Sequence, residues 1–251
     1  MVIAYESFSE IIESGQLMRL STGIPGFDQL IEGGLIEKRL YVLSGPPGSG
    51  KTTFSAHFAQ QGATNGDKCL YMSMHETKEE LVDDMAGFDF GFDRAMAGNR
   101  LHFMNIFTDK SQNVLVPRNG NDYRSNVQNM TNRIVSFVNK HQIDRLIFDS
   151  TMLLRYFYSD EEDTFIQFVS SLKQTDATTL LISEMTDPTA YQDEHYLAHG
   201  VIFFHNYLEA TGMRRGVQVI KMRGTNIDSD IKEIEFSRDG LTVHPDRVVE
   251  A

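Results

Sequence analysis

The chain has no tryptophan and only one cysteine in 251 residues. A lone Cys69 excludes an internal disulfide, so the fold rests on burial rather than on covalent staples. No run approaches the roughly 20 apolar residues that span a bilayer. The opening MVIAYESFSEIIESGQ is acidic and lacks the basic stretch of an export signal, so a cytoplasmic location is expected. Bases are scarce: 23 Lys and Arg stand against 35 Asp and Glu, a net charge of −12. Such a surface repels nucleic-acid phosphates and anionic membranes wherever its bases are not clustered, so nucleic acid is not an expected partner. Aromatic and thioether bulk is plentiful, 17 Phe and 12 Met, which suits an adaptable core. The length fits one large α/β domain: residues 1–17 read as a peripheral arm, with Phe8, Ile11 and Ile12 as a small apolar stripe, and 18–251 as the domain.

Apolar runs bounded by turn residues predict strands over Leu40–Ser44, Lys68–Met74, Leu101–Phe107, Leu146–Asp149 and Thr178–Ser183. Helical spacing predicts helices over Lys51–Gly62, Thr77–Met85, Arg124–His141 and Glu161–Lys173, with Thr77 as an N-cap and a short amphipathic turn at Phe27–Ile31. Residues 108–123 and 184–199 read as polar loops, the second mobile. Three strands close the chain, Val201–Glu209, Val217–Arg223 and Glu233–Ser237, then a turn at Asp239-Gly240 and a short last strand. Alternation of strands and helices predicts a mostly parallel twisted sheet with helices on both faces, extended by antiparallel C-terminal hairpin strands.

Gly45-Pro46-Pro47-Gly48-Ser49-Gly50-Lys51-Thr52 matches G-x-x-x-x-G-K-[ST] between an apolar strand and a helix, and Thr53 follows it. In that context the glycines let backbone N–H groups curl around phosphate oxygens, and the helix N-terminus adds positive dipole. Lys51 is expected on the β- and γ-phosphates of ATP, and the Thr52 hydroxyl on Mg2+. Asp149, ending the run Ile147-Phe148-Asp149, is the expected second metal-linked residue, set against an ordinary strand-end cap. Two readings stay open for the base. Glu76, beside His75 at the end of a strand, either orients the attacking water or is a first-turn helix residue favoured by the dipole. Glu184 is the second candidate, better placed to sense the γ-phosphate.

The chain resembles the KaiC-like branch of the RecA superfamily from about Met18 to about Pro245. The marks are STGIPGFDQLIEGG, SGPPGSGKTT, the HET tripeptide, IFDS, ATTLLISE and VQVIKMRGT, the KMRG element being the most specific. The resemblance implies a RecA-like P-loop core and a homo-oligomeric ring, a hexamer, with nucleotide between subunits. It also implies that Lys221 and Arg223 project onto the ATP of the adjacent subunit. Alternation along Val217–Arg223 puts these two cations on one strand face, where they repel unless an anion pairs with them. The family pattern has a Glu-Glu pair whose first member is the general base. Here His75 takes that place and only Glu76 remains, so ATP hydrolysis and simple ATP binding are both open. The autokinase acceptors of the clock protein correspond to Tyr196 and Leu197, so that activity is not carried over.

The function expected is thus a ring-forming ATPase with a regulatory or signalling role and a protein partner that the sequence does not name. The alternatives are a recombination ATPase, opposed by the acidic charge, and a non-hydrolysing ATP-binding scaffold. Asp193, Glu194, His195 and His199 cluster in the 184–199 loop, with the two histidines at i,i+4 spacing; a loop facing the ring channel or a partner is expected rather than a zinc site. Arg214-Arg215 reads as part of a turn. Tyr71 and Phe203-Phe204 read as core.

Overall fold

The computed structural model describes residues 17–106, 123–152, 154, 162–209 and 212–249. The expected arm, apart from Leu17, and the expected loop over 108–123, apart from Tyr123, lie outside the described residues. Two short strands, β1 (Arg19–Leu20) and β2 (Leu35–Ile36), pair with each other around a 3-10 turn at Asp28–Ile31. Then follow β3 (Leu40–Gly45), α1 (Lys51–Asn65), β4 (Cys69–Ser73), α2 (Lys78–Met85), α3 (Phe92–Ala97), β5 (Leu101–Asn105), α4 (Tyr123–His141) and β6 (Arg145–Asp149). The rest is α5 (Glu162–Leu172), β7 (Thr178–Glu184), α6 (Asp193–Leu197), β8 (Gly200–Glu209), β9 (Gly212–Met222), β10 (Lys232–Ser237) and β11 (Gly240–Val248).

Among the described residues nine strands form one sheet in the order β11-β10-β9-β8-β3-β7-β6-β4-β5. The six from β8 to β5 are parallel, and β9, β10 and β11 extend them antiparallel. The mostly parallel sheet with antiparallel C-terminal strands is the arrangement expected from the alternation of elements. Strand periodicity splits the core in two. Tyr41 and Leu43 face one side with Phe54 and Phe58 of α1, Leu81 of α2 and Phe92 of α3. Leu40 and Val42 face the other side with Met130 and Ile134 of α4 and Phe168 of α5. Each such fully buried side chain contributes about 1.5–3 kcal/mol of transfer free energy, so both faces need their helices.

Thr77 caps α2 as expected, through a reciprocal capping box with Glu80. Other expectations need correction. The Phe27–Ile31 turn is 3-10 and ends at Glu32 in the left-handed conformation. Helix α3 and the β1–β2 pair lack a distinct sequence signal because each is too short to show a period. The last strand spans nine residues rather than a short stub. The 184–199 stretch is no solvated loop: it contains α6, with Glu194 and His195 buried. Helix α6 stops at Leu197, so His195 and His199 do not share a helix face.

Arg145 is a fully buried charge. Its Nε donates to Asp67 Oδ2 at 2.7 Å, Nη1 donates to the carbonyls of Ser21 and Phe58, and the guanidinium lies 4.5 Å from the Phe58 ring centre. The outer side of β11 is closed in a different way. Leu241 N–H donates to His57 Nε2 (3.1 Å), Val243 N–H donates to the Pro25 carbonyl (2.9 Å), and the next residue on that side is Pro245, which has no N–H.

His57 must stay neutral to accept from Leu241, and burial lowers its pKa from 6.5 to about 4. The sign follows from proton uptake. Below pH 6.5 the unfolded chain binds a proton that the folded chain refuses, so stability falls as pH drops from 6.5 to 4 and then levels off. The loss expected from this one group is on the order of 3 kcal/mol over that window. Denaturant melts at several pH values check it: His57→Gln should flatten the curve between these limits, and an unchanged slope would remove His57 as the cause.

Candidate functional site

Strand β3 ends in the middle of the sheet, and the chain turns at Gly45–Gly50 into α1. The turn depends on two glycines. Gly45 has φ +145° and a Cβ there would lie 2.5 Å from the Phe204 carbonyl oxygen; Gly50 has φ +106° and its Cβ would lie 2.5 Å from Phe236. Only glycine accepts both the backbone conformation and the close approach. Lys51 opens α1 with its side chain folded back over the turn. Its Nζ donates to the Gly45 carbonyl (2.8 Å) and the Pro46 carbonyl (2.9 Å). Burial lowers the Lys51 pKa, and the carboxylates of Glu184 and Asp149 partly offset this.

A cavity of about 500 Å3 opens beside this turn. It is lined by Pro47, Gly48, Gly50, Lys51, Thr52 and Thr53 from the turn and α1, and by Asp149, Glu184 and His75 from the strand ends. Contiguous and distant predicted residues thus converge. Asp149 is buried, with Oδ2 3.4 Å from Thr52 Oγ1 and accepting from Tyr71 Oη at 2.8 Å. Burial raises the Asp149 pKa; nearby His75 and the Tyr71 hydroxyl pull the other way. Among the described residues no Lys or Arg forms an ion pair with Asp149. A buried carboxylate beside a threonine hydroxyl fits a divalent cation of the Mg2+ type, whose charge would offset the burial. Ser49 Oγ in the turn is also buried with no protein partner, as expected of a group that awaits a ligand or water.

His75 and Glu76 divide the remaining role unequally. His75 lines the cavity; Glu76 does not. The Glu76 carboxylate lies behind the imidazole, Oε1 3.6 Å from His75 Nε2, and its Oε2 is buried without a partner. The Glu76 carboxylate beside the imidazole is the main cause that raises the His75 pKa, against burial. Glu184 faces the cavity directly from the end of β7.

Lys221 and Arg223 are not part of this cavity. Arg223 follows the end of β9, where its N–H donates to the His199 carbonyl and its own carbonyl accepts from Arg39 Nη1. Arg39 precedes the first residue of β3, whereas the phosphate-type loop leaves its last. The six residues of β3 hold the two ends about 16 Å apart. Lys221 Nζ donates to the carbonyls of His195 (3.0 Å) and Tyr196 (3.1 Å). Burial lowers the Lys221 pKa, and the charges of Arg223 and Lys173 lower it further.

Several site residues have no local signature. Tyr71, read as core, is buried but aims its hydroxyl at Asp149. Arg215 lies in β9, not in a turn; its Nε donates to the Gly48 carbonyl at 3.2 Å and its guanidinium sits 5.3 Å from the Phe236 ring centre. Arg214 instead pairs with Glu233 at 3.7 Å. Asn206 Nδ2 donates to the Pro47 carbonyl. Register across β8 and β9 brings these residues in, which no spacing within the loop motif could reveal. A larger cavity, about 1010 Å3, lies between α4 and the β4–β5 edge, but it contains none of the predicted site residues.

Comparison with known proteins shows the family. The family described as "ATPase: KaiC" matches residues 20–248. A circadian clock oscillator protein KaiC of Prochlorococcus marinus subsp. pastoris is 28% identical over 221 residues, 84% of this chain and 42% of that protein. The circadian clock protein KaiC3 of a Synechocystis strain is 25% identical over 248 residues, 95% of this chain and 48% of that protein. The chain therefore spans less than half the length of these relatives. A crystal structure of a KaiC-like protein from the hyperthermophilic archaeon Pyrococcus horikoshii superimposes with a TM-score of 0.77 at 26% identity, covering 92% of this chain and 100% of that one. Among the described residues no helix is long and apolar enough to cross a membrane.

Proposed function

The chain belongs to the family of KaiC ATPases, and on that premise we propose that it binds Mg-ATP in the Gly45–Thr53 cavity and assembles into a ring whose subunits complete each other's nucleotide sites. Lys51 and the loop amides hold the phosphates. Thr52 and Asp149 hold the cation, which when bound shields phosphate charge. The observation that carries the shared site is the placement of Arg223 at the far end of β3 from its own loop, on a protein otherwise rich in acid. A cation cluster that cannot reach the cavity of its own subunit is supplied with an anion when a neighbour docks there. The biological role is that of a nucleotide-dependent regulator in the cytoplasm.

A second reading has an observation of its own. His75 lines the cavity in the place where the family pattern has its first Glu, and Glu76 does not line it. ATP then holds the ring together without rapid turnover, and Glu76 and Glu184 are the residues left to position water. Size exclusion with light scattering, run with and without Mg-ATP and followed by phosphate release on the same samples, tests both. Mg-ATP is expected to shift the protein from subunit to ring by mass action. A monomer at saturating Mg-ATP would refute the shared site; a ring without phosphate release selects the scaffold.

A further inference from the structure

Five residues are too few for a helix to be stable alone, so the place of α6 is set by its side chains. Both ends are tied, and to different things. At one end Gln192 N–H donates to His195 Nδ1 at 3.0 Å. That nitrogen carries no proton, so the neutral ring holds its proton on Nε2 and donates it to Ser44 Oγ at 2.7 Å. Next to it, Ser183 Oγ donates to Glu194 Oε1 at 2.7 Å. Ser44 and Ser183 are neighbours across the β3–β7 ladder, and each directly precedes a residue of the nucleotide cavity or its loop, Gly45 and Glu184. At the other end the α6 carbonyls accept from cations: those of His195 and Tyr196 from Lys221 Nζ, that of Leu197 from Lys173 Nζ at 2.7 Å.

We infer that α6 positions Lys221 for the neighbouring subunit's nucleotide, with His195 as the positioning residue; this rests on the shared-site reading above. An ammonium has three donors. Two are fixed on α6 carbonyls, so the third has a defined direction and the long side chain is ordered before any phosphate arrives, which lowers the entropic cost of binding. The same histidine grips the strand that carries its own subunit's phosphate loop. Its imidazole is thus tied to the cis loop and its carbonyl to the trans cation, two adjacent sites of a ring joined through one buried residue.

The test separates giving a cation from receiving one. Lys51→Ala subunits, which keep their trans cations, are mixed with Lys221→Ala/Arg223→Ala subunits, which keep their loops, and Mg-ATP retained per mixed ring is titrated. His195→Ala is then placed in the Lys51→Ala subunit only. Losing the hold on Lys221 is expected to weaken retention about tenfold, the scale of one hydrogen bond to a charged group. His195→Gln, which keeps a donor for Ser44, should restore most of it. Should His195→Ala fail to fold, Ser44→Ala in the same subunit removes the acceptor and leaves the imidazole in place; the same weakening is expected. Retention independent of these changes overturns the inference and leaves the shared site intact. Equal losses with Ala and Gln, together with a lowered melting temperature in both, reduce His195 to a packing role and also overturn it. No retention in the parent mixture removes the shared site, and this inference with it.

Discussion

Lys51→Ala is expected to weaken Mg-ATP binding by at least about a hundredfold, because each charge-assisted hydrogen bond to phosphate is worth on the order of 1.5–3 kcal/mol and an ammonium on the β- and γ-phosphates makes more than one. The side chain is already folded over the loop, 2.8 Å from the Gly45 carbonyl, so little ordering remains to be done when phosphate arrives. Among the described residues that line the cavity, no other cation stands ready to substitute. Arg215 lines the same cavity but is engaged with the Gly48 carbonyl and Phe236. Stability should change little, since the carbonyls that lose their donor border the open cavity. Calorimetric titration decides: an affinity equal to the parent's would take Lys51 out of the site.

The paired change Lys221→Ala/Arg223→Ala is expected to abolish the Mg-ATP-dependent shift to the ring while leaving the subunit folded. Two cations lost from one interface remove two charge-assisted contacts, which on the same scale is about a hundredfold or more in assembly. The fold should tolerate the change because Arg223 is exposed and Lys221 has its ammonium on backbone carbonyls of a short helix. Burial lowers the pKa values of Lys221 and Lys173, and the Arg223 charge lowers both further, so losing these cations removes some cost from the folded subunit. Light scattering across an ATP series reads the result. A ring that forms at the parent's ATP concentration would show that these cations serve something other than a neighbour's nucleotide.

The contiguous part of the site was legible from sequence, and the reason is geometric. A phosphate loop is built by one turn, so Gly45 to Thr52 carries its own signature, and Asp149 could be added because it ends an apolar run. Tyr71 and Arg215 were not legible because their roles arise from strand order. Tyr71 reaches Asp149 only because β4 lies beside β6, and Arg215 reaches Gly48 only because β8 lies beside both β3 and β9. The 184–199 stretch misleads for a related reason. Its polar residues look solvated in sequence, yet Glu194 and His195 are buried against the serines at the ends of β7 and β3. Hydrogen-bonded burial of polar groups leaves no hydrophobic period to detect.

The closed outer side of β11 bears on how such subunits can meet. Leu241 and Val243 have already given their amides away, and Pro245 has none to give, so a foreign strand laid along residues 241–245 finds no amide to pair with. This stretch opposes growth of a continuous fibre by adding sheet to sheet at that border. Association along this stretch would have to act through side chains rather than through a shared ladder. A turn at Pro25 and one histidine therefore block strand addition at this border, and any association there would stay reversible.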